Sequence, residues 1–267
     1  MKYKLIVTDL DDTLLRDDQT ISERSKQTIK RAVGKGIHVA IATGRMYASA
    51  LPYARALGLT GPMMCCQGAQ IADIETGRSL RITALPLALA REALRFAEEQ
   101  GLYIQYYTTD DYFFEKTCAE SDYYHRAAGV LGKPLGRRPS EALDFEPIKL
   151  LIIAEPQRIR QAYGLAVERF GESMSIAISK ANYLEFTHPL ANKGAAVADM
   201  AAMLDIGRHE VLCCGDALND LPMLRFAGLG VAVANGDEQV KAQADAVTAS
   251  NNEDGVARAI ERYALEE

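Results

Sequence analysis

The chain has 267 residues, of which 48% are hydrophobic and 25% are charged, and its formal net charge at pH 7 is -6. This length allows a sizeable core and favours two domains, or one domain with an insertion. The negative charge argues against electrostatic binding to nucleic acid or to an anionic membrane, so neither is expected as a partner. Because no apolar stretch approaches a membrane span and acidic residues interrupt any signal peptide, a cytoplasmic location is predicted.

The first part of the chain alternates apolar strand patterns with amphipathic helix patterns. Strands are predicted at KLIVTD, IHVAIATG and PMMCCQGA, and helices at SERSKQTIKRAVGKG and RMYASALPYARALGL. Strand and helix in alternation are typical of a parallel sheet that is covered on both faces.

Residues 84–188 have a different pattern, in which tyrosines are frequent. A helix is predicted at LPLALAREALRFAEEQG, a hairpin at LYIQYYTTDDYFFEK, and strands at PIKLLIIAE and SMSIAISK. GKPLGRRPSEALDFEP is predicted to be an irregular connection. This segment therefore indicates an α+β domain inserted into an α/β core.

The alternating pattern returns after residue 188, with helices at NKGAAVADMAAMLDIG and NDLPMLRFAG and strands at HEVLCCGD and LGVAVANG. The five cysteines fall as two adjacent pairs and a single Cys118. Adjacent strand residues point to opposite faces, which suits neither a disulfide framework nor a zinc site. Reduced, buried strand cysteines are expected instead.

Polar groups follow several predicted strands, where a parallel sheet places its ligand crevice. Asp9 and Asp11 follow LIVT, residues 43–45 follow VAIA, Lys193 opens a late helix, and GDALND follows VLCC. A solvated turn would explain one such acidic cluster. Together, however, the groups supply a carboxylate nucleophile, a second carboxylate, a hydroxyl, an ammonium and carboxylates for Mg²⁺. This combination predicts a phosphoryl-transfer site.

DLDDTLL, ATGR, NKG and GDALND, in this order, resemble motifs I to IV of the haloacid dehalogenase-like phosphatases. The resemblance is to the Cof-type sugar-phosphatase branch, in which a cap domain is inserted between motifs II and III, and it spans nearly the whole chain. It implies a Rossmann-like core over 1–83 and 189–267 and an α/β cap over 84–188 that sets substrate specificity. The implied function is Mg²⁺-dependent hydrolysis of small phosphate esters through an aspartyl-phosphate. Sugar phosphates are favoured, with nucleotide or vitamin phosphates as alternatives.

The resemblance also assigns roles to individual residues. It makes Asp9 the nucleophile and Asp11 the general acid and base. The spacing agrees, because the two side chains lie on the same side of an extended backbone. The residues assigned to the substrate phosphate are Leu10, Thr43, Gly44, Lys193 and Asn219. The residues assigned to Mg²⁺ are Asp9, Asp11 through its backbone carbonyl, and Asp216, with Asp220 in support.

Two residues depart from the family pattern. Asp12 stands where D-x-D-G-T has glycine, so it loses backbone freedom and adds negative charge near the metal. We expect its side chain to turn outward. Gln67 stands in QGA where the family has N-G-A, and its extra methylene is expected to shift any substrate contact made there.

Two other functions stay open: a phosphosugar mutase of the same superfamily and a catalytically weak phosphosugar-binding protein. The intact set of Asp9, Asp11, Lys193 and Asp216 favours the hydrolase. His38 and His209 are expected to be structural or solvated. Candidate substrate contacts in or near the inserted domain are His125, His188, Asn182 and Glu185. Packing is expected for most of Tyr103, Tyr106, Tyr107, Tyr112, Tyr123 and Tyr124. The sequence predicts no oligomeric state.

Overall fold

The structure, a computed structural model, describes residues 2–265, which divide into two compact units. The first unit contains the chain up to Gly44, Ala50–Leu80 and the chain from Asn192 onward. The second contains Arg45–Ser49 and Arg81–Ala191. Among residues 2–265, no helix combines the length and the apolar character needed to cross a bilayer.

Strands and helices are numbered in chain order. The strands are β1 (Leu5–Thr8), β2 (His38–Ile41), β3 (Pro62–Cys65), β4 (Gln70–Asp73), β5 (Ser79–Ile82), β6 (Tyr103–Tyr107), β7 (Tyr112–Phe114), β8 (Lys133–Pro134), β9 (Lys149–Ile153), β10 (Ser175–Lys180), β11 (Tyr183–Thr187), β12 (Val211–Gly215), β13 (Leu229–Ala232) and β14 (Ala246–Val247). The helices are α1 (Glu23–Gly34), α2 (Tyr47–Ala56), α3 (Leu87–Glu99), α4 (Ala119–Ala128), α5 (Pro139–Ala142), α6 (Pro156–Phe170), α7 (Lys193–Met203), α8 (Leu221–Phe226), α9 (Glu238–Lys241) and α10 (Gly255–Ile260).

The first unit is built on a sheet with strand order β14-β13-β12-β1-β2, in which each neighbouring pair is parallel. Strand β1, which lies between β12 and β2, is buried at every position, because its apolar residues are covered on both faces. Thr8, its last residue, is paired with Cys214 of β12 and with Ile41 of β2. The carboxyl ends of these three strands therefore lie side by side, and the α/β prediction is confirmed.

The helices of the first unit begin where the chain supplies capping residues. Ser22 precedes α1, and its side-chain oxygen accepts a hydrogen bond from the Ser25 backbone N–H at 3.0 Å. Asn192 precedes α7, and its side chain accepts from the Ala195 N–H at 2.9 Å. Such caps satisfy backbone donors that have no partner within the helix. The cap at Asn192 fixes where Lys193 enters the helix.

The second unit contains a sheet with strand order β10-β11-β9-β6-β7-β8. Strands β6 and β7 form the predicted hairpin, and β9 lies antiparallel to both β6 and β11. The apolar side chains of α3 and α6 form a core cluster with one face of this sheet, which includes Ile104, Leu150 and Phe186. The opposite face carries Gln105 and Lys149, which are also buried.

Three details differ from the expectations. The segment predicted to be an irregular connection contains the short strand β8 and the single-turn helix α5. Cys118 lies at the N-cap of α4 rather than in a strand and is partly exposed. The cysteines of the two adjacent pairs are buried as expected, although Cys66 lies in the turn after β3 rather than in a strand. The sequence analysis does not predict helices α4, α6, α9 and α10 or strands β4, β5, β11 and β14.

Candidate active site

The chain changes direction directly after β1. Asp9 is extended, with φ -64° and ψ 162°, and Leu10–Leu14 then form a wide helical turn that is interrupted at Asp11 and Asp12. Asp12 has a φ of 57°, in the left-handed region that glycine adopts without steric cost. Its side chain is exposed, as expected. The turn thus keeps a glycine-like conformation although an aspartate occupies it.

Lys193 forms the electrostatic centre of the site. Its ammonium donates to Asp9 Oδ1 at 2.7 Å and to Asp220 Oδ1 at 2.5 Å. Lys193 is 1% exposed, Asp9 is 7% exposed and Asp220 is fully buried. Burial alone would lower the pKa of Lys193, but the charges of Asp220 and Asp9 outweigh it, and the pKa is raised above its ordinary value. The two carboxylates therefore favour the charged form of Lys193.

Asp220 uses both of its carboxylate oxygens to hold other parts of the site. While its Oδ1 binds Lys193, its Oδ2 accepts hydrogen bonds from the backbone N–H groups of Asp216 at 2.9 Å and Ala217 at 3.0 Å. A Cβ on Gly215 would lie 2.5 Å from the Cβ of Asp220, so only glycine fits at this position. Asp220 therefore ties the turn after β12 to the lysine.

Asp216 contacts Thr13, which follows the first acidic motif and is not among the residues that the sequence analysis singles out. The hydroxyl of Thr13 donates to Asp216 Oδ1 at 2.6 Å, across 203 positions of the chain. Burial and the charge of Asp220 raise the pKa of Asp216 to about 7, although the Thr13 hydrogen bond opposes the shift. Thr13 follows the acidic motif directly, but a threonine in a predicted turn gives no local signal for this contact.

Asp9, Asp216 and Asp220 together could hold a metal ion. Their carboxylate oxygens lie within 4.8 Å of one another. Burial raises the pKa of Asp9 well above its ordinary value, and Asp220 and Asp216 raise it further, while Lys193 lowers it. Three carboxylates around one ammonium leave negative charge in excess, and oxygen is the ligand atom that Mg²⁺ prefers. These residues therefore fit a divalent cation, whose charge would hold Asp9 ionised.

Asp11 lies outside this group of three and is partly buried. The Leu10 side chain is apolar and fully buried, so only the backbone of Leu10 could contact a phosphate. The structure thus brings Asp9 and Lys193 together with Asp216 and Asp220, as the sequence analysis predicts for one site.

Thr43 and Asn219 are linked by the turn that follows β3. Thr43 is fully buried, and its backbone carbonyl accepts a hydrogen bond from the Gln67 N–H at 3.1 Å. The Asn219 amide donates through Nδ2 to Gln67 Oε1 at 2.9 Å. Gly44 follows Thr43 and packs against the Gln67 side chain. Gln67 therefore contacts the residues after β2 and after β12.

The candidate residues of the second unit have partners of their own. Glu185 is buried and pairs with Lys149 at 3.3 Å, and the Lys149 ammonium lies 4.6 Å from the centre of the Tyr107 ring. Tyr124 packs edge-to-face against Tyr107 and Tyr112. His125 Nδ1 lies 3.1 Å from the Val130 carbonyl. Several of the tyrosines thus pack together, while Tyr123 is 41% exposed.

Comparison with known proteins agrees with the geometry. A family model described as haloacid dehalogenase-like hydrolase matches residues 6–260. The chain is 32% identical over 262 residues to a putative phosphatase of Haemophilus influenzae, with 98% of each chain covered. It is 30% identical over 262 residues to the 5-amino-6-(5-phospho-D-ribitylamino)uracil phosphatase YcsE of Bacillus subtilis, covering 98% of this chain and 96% of the relative.

Among solved structures, a haloacid dehalogenase-like hydrolase from Bacteroides thetaiotaomicron superimposes with a TM-score of 0.87 and 28% identity. The match covers 98% of this chain and 99% of that one. The fold, the four motifs and the family match all agree. The chain therefore belongs to the haloacid dehalogenase-like hydrolases, and it is an enzyme of the phosphatase type within that family.

Proposed function

We propose that the protein is a Mg²⁺-dependent phosphomonoesterase that hydrolyses small phosphorylated metabolites through an aspartyl-phosphate on Asp9. The observation that carries this proposal is the buried contact of Lys193 with Asp9 and Asp220, beside Asp216. A stable protein tolerates such a concentration of buried charge when function or a bound cation requires it.

In the first step, Asp9 attacks phosphorus. Lys193 holds Oδ1 of Asp9, so we assign the attack to Oδ2. A bond forms between Oδ2 and phosphorus, the ester P–O bond breaks, and the leaving alcohol takes its proton from Asp11. The lysine charge stabilises the negative charge on the transferring phosphoryl group.

In the second step, the roles of the same residues are reversed. Asp11, now a carboxylate, takes a proton from water, and the water oxygen attacks phosphorus. The bond between phosphorus and Asp9 breaks, which releases inorganic phosphate and restores both carboxyl groups to their starting states.

The cation would be held by Asp9, Asp216 and the backbone carbonyl of Asp11, with Asp220 in support. When bound, it neutralises phosphate charge and keeps Asp9 ionised. Leu10, Thr43, Gly44, Lys193 and Asn219 are proposed as the phosphate contacts. Asp220 has both oxygens in hydrogen bonds with the protein, which agrees with a supporting role.

Sugar phosphates and related polyol phosphates are the favoured substrates. The relative YcsE is named for a substrate whose phosphate is carried by a ribityl chain, which is a polyol. We propose that residues 84–188 form a cap that selects among such esters. The cytoplasmic location stays a prediction of the sequence.

The first test is a phosphate-release screen over sugar, polyol, nucleotide and vitamin phosphates, with Mg²⁺ present and then chelated. We expect release from sugar or polyol phosphates that stops in excess chelator. Full activity in chelator would contradict the metal assignment. Turnover that requires a phosphorylated activator and releases little phosphate would instead identify a mutase.

The second test separates Asp9 from Asp11 with a rapid-mixing assay on an activated aryl phosphate. Asp11→Asn is expected to release a burst of phenol, up to about one equivalent per site, and then to stall, because an acidic phenol leaves without protonation but water still needs a base. Asp9→Asn is expected to release none. A burst from Asp9→Asn, or wild-type steady turnover by Asp11→Asn, would overturn the assigned roles.

A further inference from the structure

The turn after β3 has an unusual backbone. Cys66, Gln67 and Gly68 are consecutive and have φ values of 50°, 60° and 94°. Left-handed conformations are unfavourable for residues with a side chain, and they persist where the surrounding structure requires them. Two such residues in succession, directly before a glycine, indicate that the direction of a side chain in this turn matters.

Gln67 is the residue whose contacts explain this backbone. Its amide oxygen accepts from Asn219 Nδ2 at 2.9 Å, and its backbone N–H donates to the Thr43 carbonyl at 3.1 Å. A Cβ on Gly44 would lie 2.5 Å from Gln67 Nε2, so the Gln67 amide occupies the space beside Gly44 that a larger residue would need. One side chain therefore touches two of the proposed phosphate-binding segments.

The contact with Asn219 has a chemical consequence. A side-chain amide presents two N–H donors at one end and an acceptor oxygen at the other. Because Gln67 presents its amide oxygen to Asn219, the NH₂ group of Asn219 must face Gln67. One N–H of that group donates to Gln67, and the other N–H can bind an anion. An Asn219 turned the other way would present its oxygen, which would repel phosphate.

We propose that Gln67 is a positioning residue that orients the Asn219 amide so that its second N–H is left for the substrate phosphate, and that holds the Gly44 backbone beside it. This inference rests on the proposed function, because it takes Gly44 and Asn219 as phosphate contacts. Under this proposal Gln67, which replaces the asparagine of the family's N-G-A pattern, is part of the phosphate site.

The test compares Gln67→Met with Gln70→Met. Gln70 is a buried glutamine on β4 that hydrogen-bonds to Ser79, so its replacement is a matched control outside the phosphate site. For Gln67→Met, KM for an aryl phosphate and the inhibition constant of inorganic phosphate are expected to rise together by about tenfold, as for one lost hydrogen bond to a charged group. Gln70→Met is expected to keep both wild-type values. Wild-type phosphate affinity in Gln67→Met would overturn the proposal.

A double-mutant cycle identifies the route of the effect. If Gln67 acts mainly through Asn219, then Gln67→Met is expected to weaken phosphate binding by less than about twofold when Asn219 is already replaced by leucine. Independent, multiplicative losses would show that Gln67 does not act through Asn219, which would overturn the proposal.

A second variant covers the case in which Gln67→Met fails to fold. Asn adopts left-handed backbone more readily than Met, so Gln67→Asn is expected to keep the melting temperature of the wild type. Its amide ends one methylene short of Asn219, and phosphate inhibition is expected to weaken nonetheless. A purely structural role for Gln67 would leave phosphate affinity unchanged in this folded variant, and that result would also refute the proposal.

The rise in melting temperature caused by inorganic phosphate in the presence of Mg²⁺ is measured for every variant. Absence of ester hydrolysis by both wild type and Gln70→Met would refute the proposed function. An equal phosphate-induced rise in wild type and Gln67→Met would refute the role of Gln67.

Discussion

Lys193 has an energetic role as well as a proposed catalytic one, because its ammonium lies between two buried carboxylates. We expect Lys193→Met to lower kcat/KM by about 10² or more, since the variant loses a charge that stabilises the transition state. In metal-free protein the variant is expected to lose about 3–5 kcal/mol of unfolding free energy, as when one partner of a buried ion pair is removed. Urea unfolding and steady-state kinetics measure the two effects.

Lys149 provides a matched control for this experiment. It is also a buried lysine, 2% exposed, and it pairs with Glu185 in the second unit. Lys149→Met is expected to reduce stability while keeping the wild-type kcat/KM for an aryl phosphate. If both variants lost the chemical step equally, destabilisation rather than charge would explain the loss in Lys193→Met.

Asp216 makes the stability of the metal-free protein depend on pH. Its folded-state pKa of about 7 lies above the unfolded value, so the folded protein binds more protons and this contribution to stability is lost as pH rises through 7. In chelator, the melting temperature of the wild type is expected to fall between about pH 4 and 7 relative to Asp216→Asn, which is the range between the unfolded and folded pKa values of this carboxyl. Excess Mg²⁺ is expected to oppose this fall, because the ionised carboxylate binds the cation. Parallel curves for the two proteins in chelator would contradict the assignment.

Helix α7 links secondary structure to the site, because Asn192 caps the helix and the next residue is Lys193. Asn192→Ala is expected to lower the unfolding free energy by about 1 kcal/mol, as for other lost N-caps. It is also expected to reduce kcat, because the first turn that carries the lysine becomes less ordered. Asn192→Ser restores a capping oxygen and is expected to recover most of both losses. Failure of serine to rescue would show that the cap does not position Lys193.

The elements that carry the site could be predicted because their signals are local. Strands β1, β2 and β12 are short apolar runs, and each is followed by polar residues at the edge where parallel strands place ligands. The cap at Asn192 and the glycine of the GDALND motif are also visible in the sequence. These patterns are sufficient to predict the α/β core and to predict that the acidic residues and Lys193 lie in one site.

The contacts between motifs could not be predicted in the same way. The hydrogen bonds from Thr13 to Asp216 and from Asn219 to Gln67 join residues that are distant in the chain, and their geometry depends on how the turns settle against one another. The left-handed backbone at Gln67 has no signal in the residue type, since glutamine does not favour that conformation, whereas Asp12 stands where the resembling motif has glycine. Helix α6 begins at a proline, which is favourable at a first helical position, but the strand patterns on either side of it dominate the sequence there.

The two units make different predictions for a shortened protein. The first unit has its own core, which includes Val7, Met64, Val197 and Cys213. Replacing residues 84–188 by a short flexible linker is therefore expected to leave a folded first unit that binds Mg²⁺ and discriminates poorly among phosphate esters. Circular dichroism, Mg²⁺ titration and a substrate panel test this. An unfolded product would show that the two units cannot be separated at these positions.

The pairing of β1 with β12 has a consequence for how the protein is made. Strand β1 precedes the second unit in the chain, but β12, one of its two neighbours, is translated only after the whole second unit. The ribosome synthesises β1 long before β12. The edge of β1 that pairs with β12 therefore stays unpaired, and the apolar residues of β1 stay partly uncovered, until Val211–Gly215 emerges. Most of the second unit is one continuous stretch, Arg81–Ala191, whose contacts are all available earlier. We therefore expect that stretch to gain protease resistance on stalled ribosomes first, and Lys193 to reach Asp9 only after Val211–Gly215 has emerged.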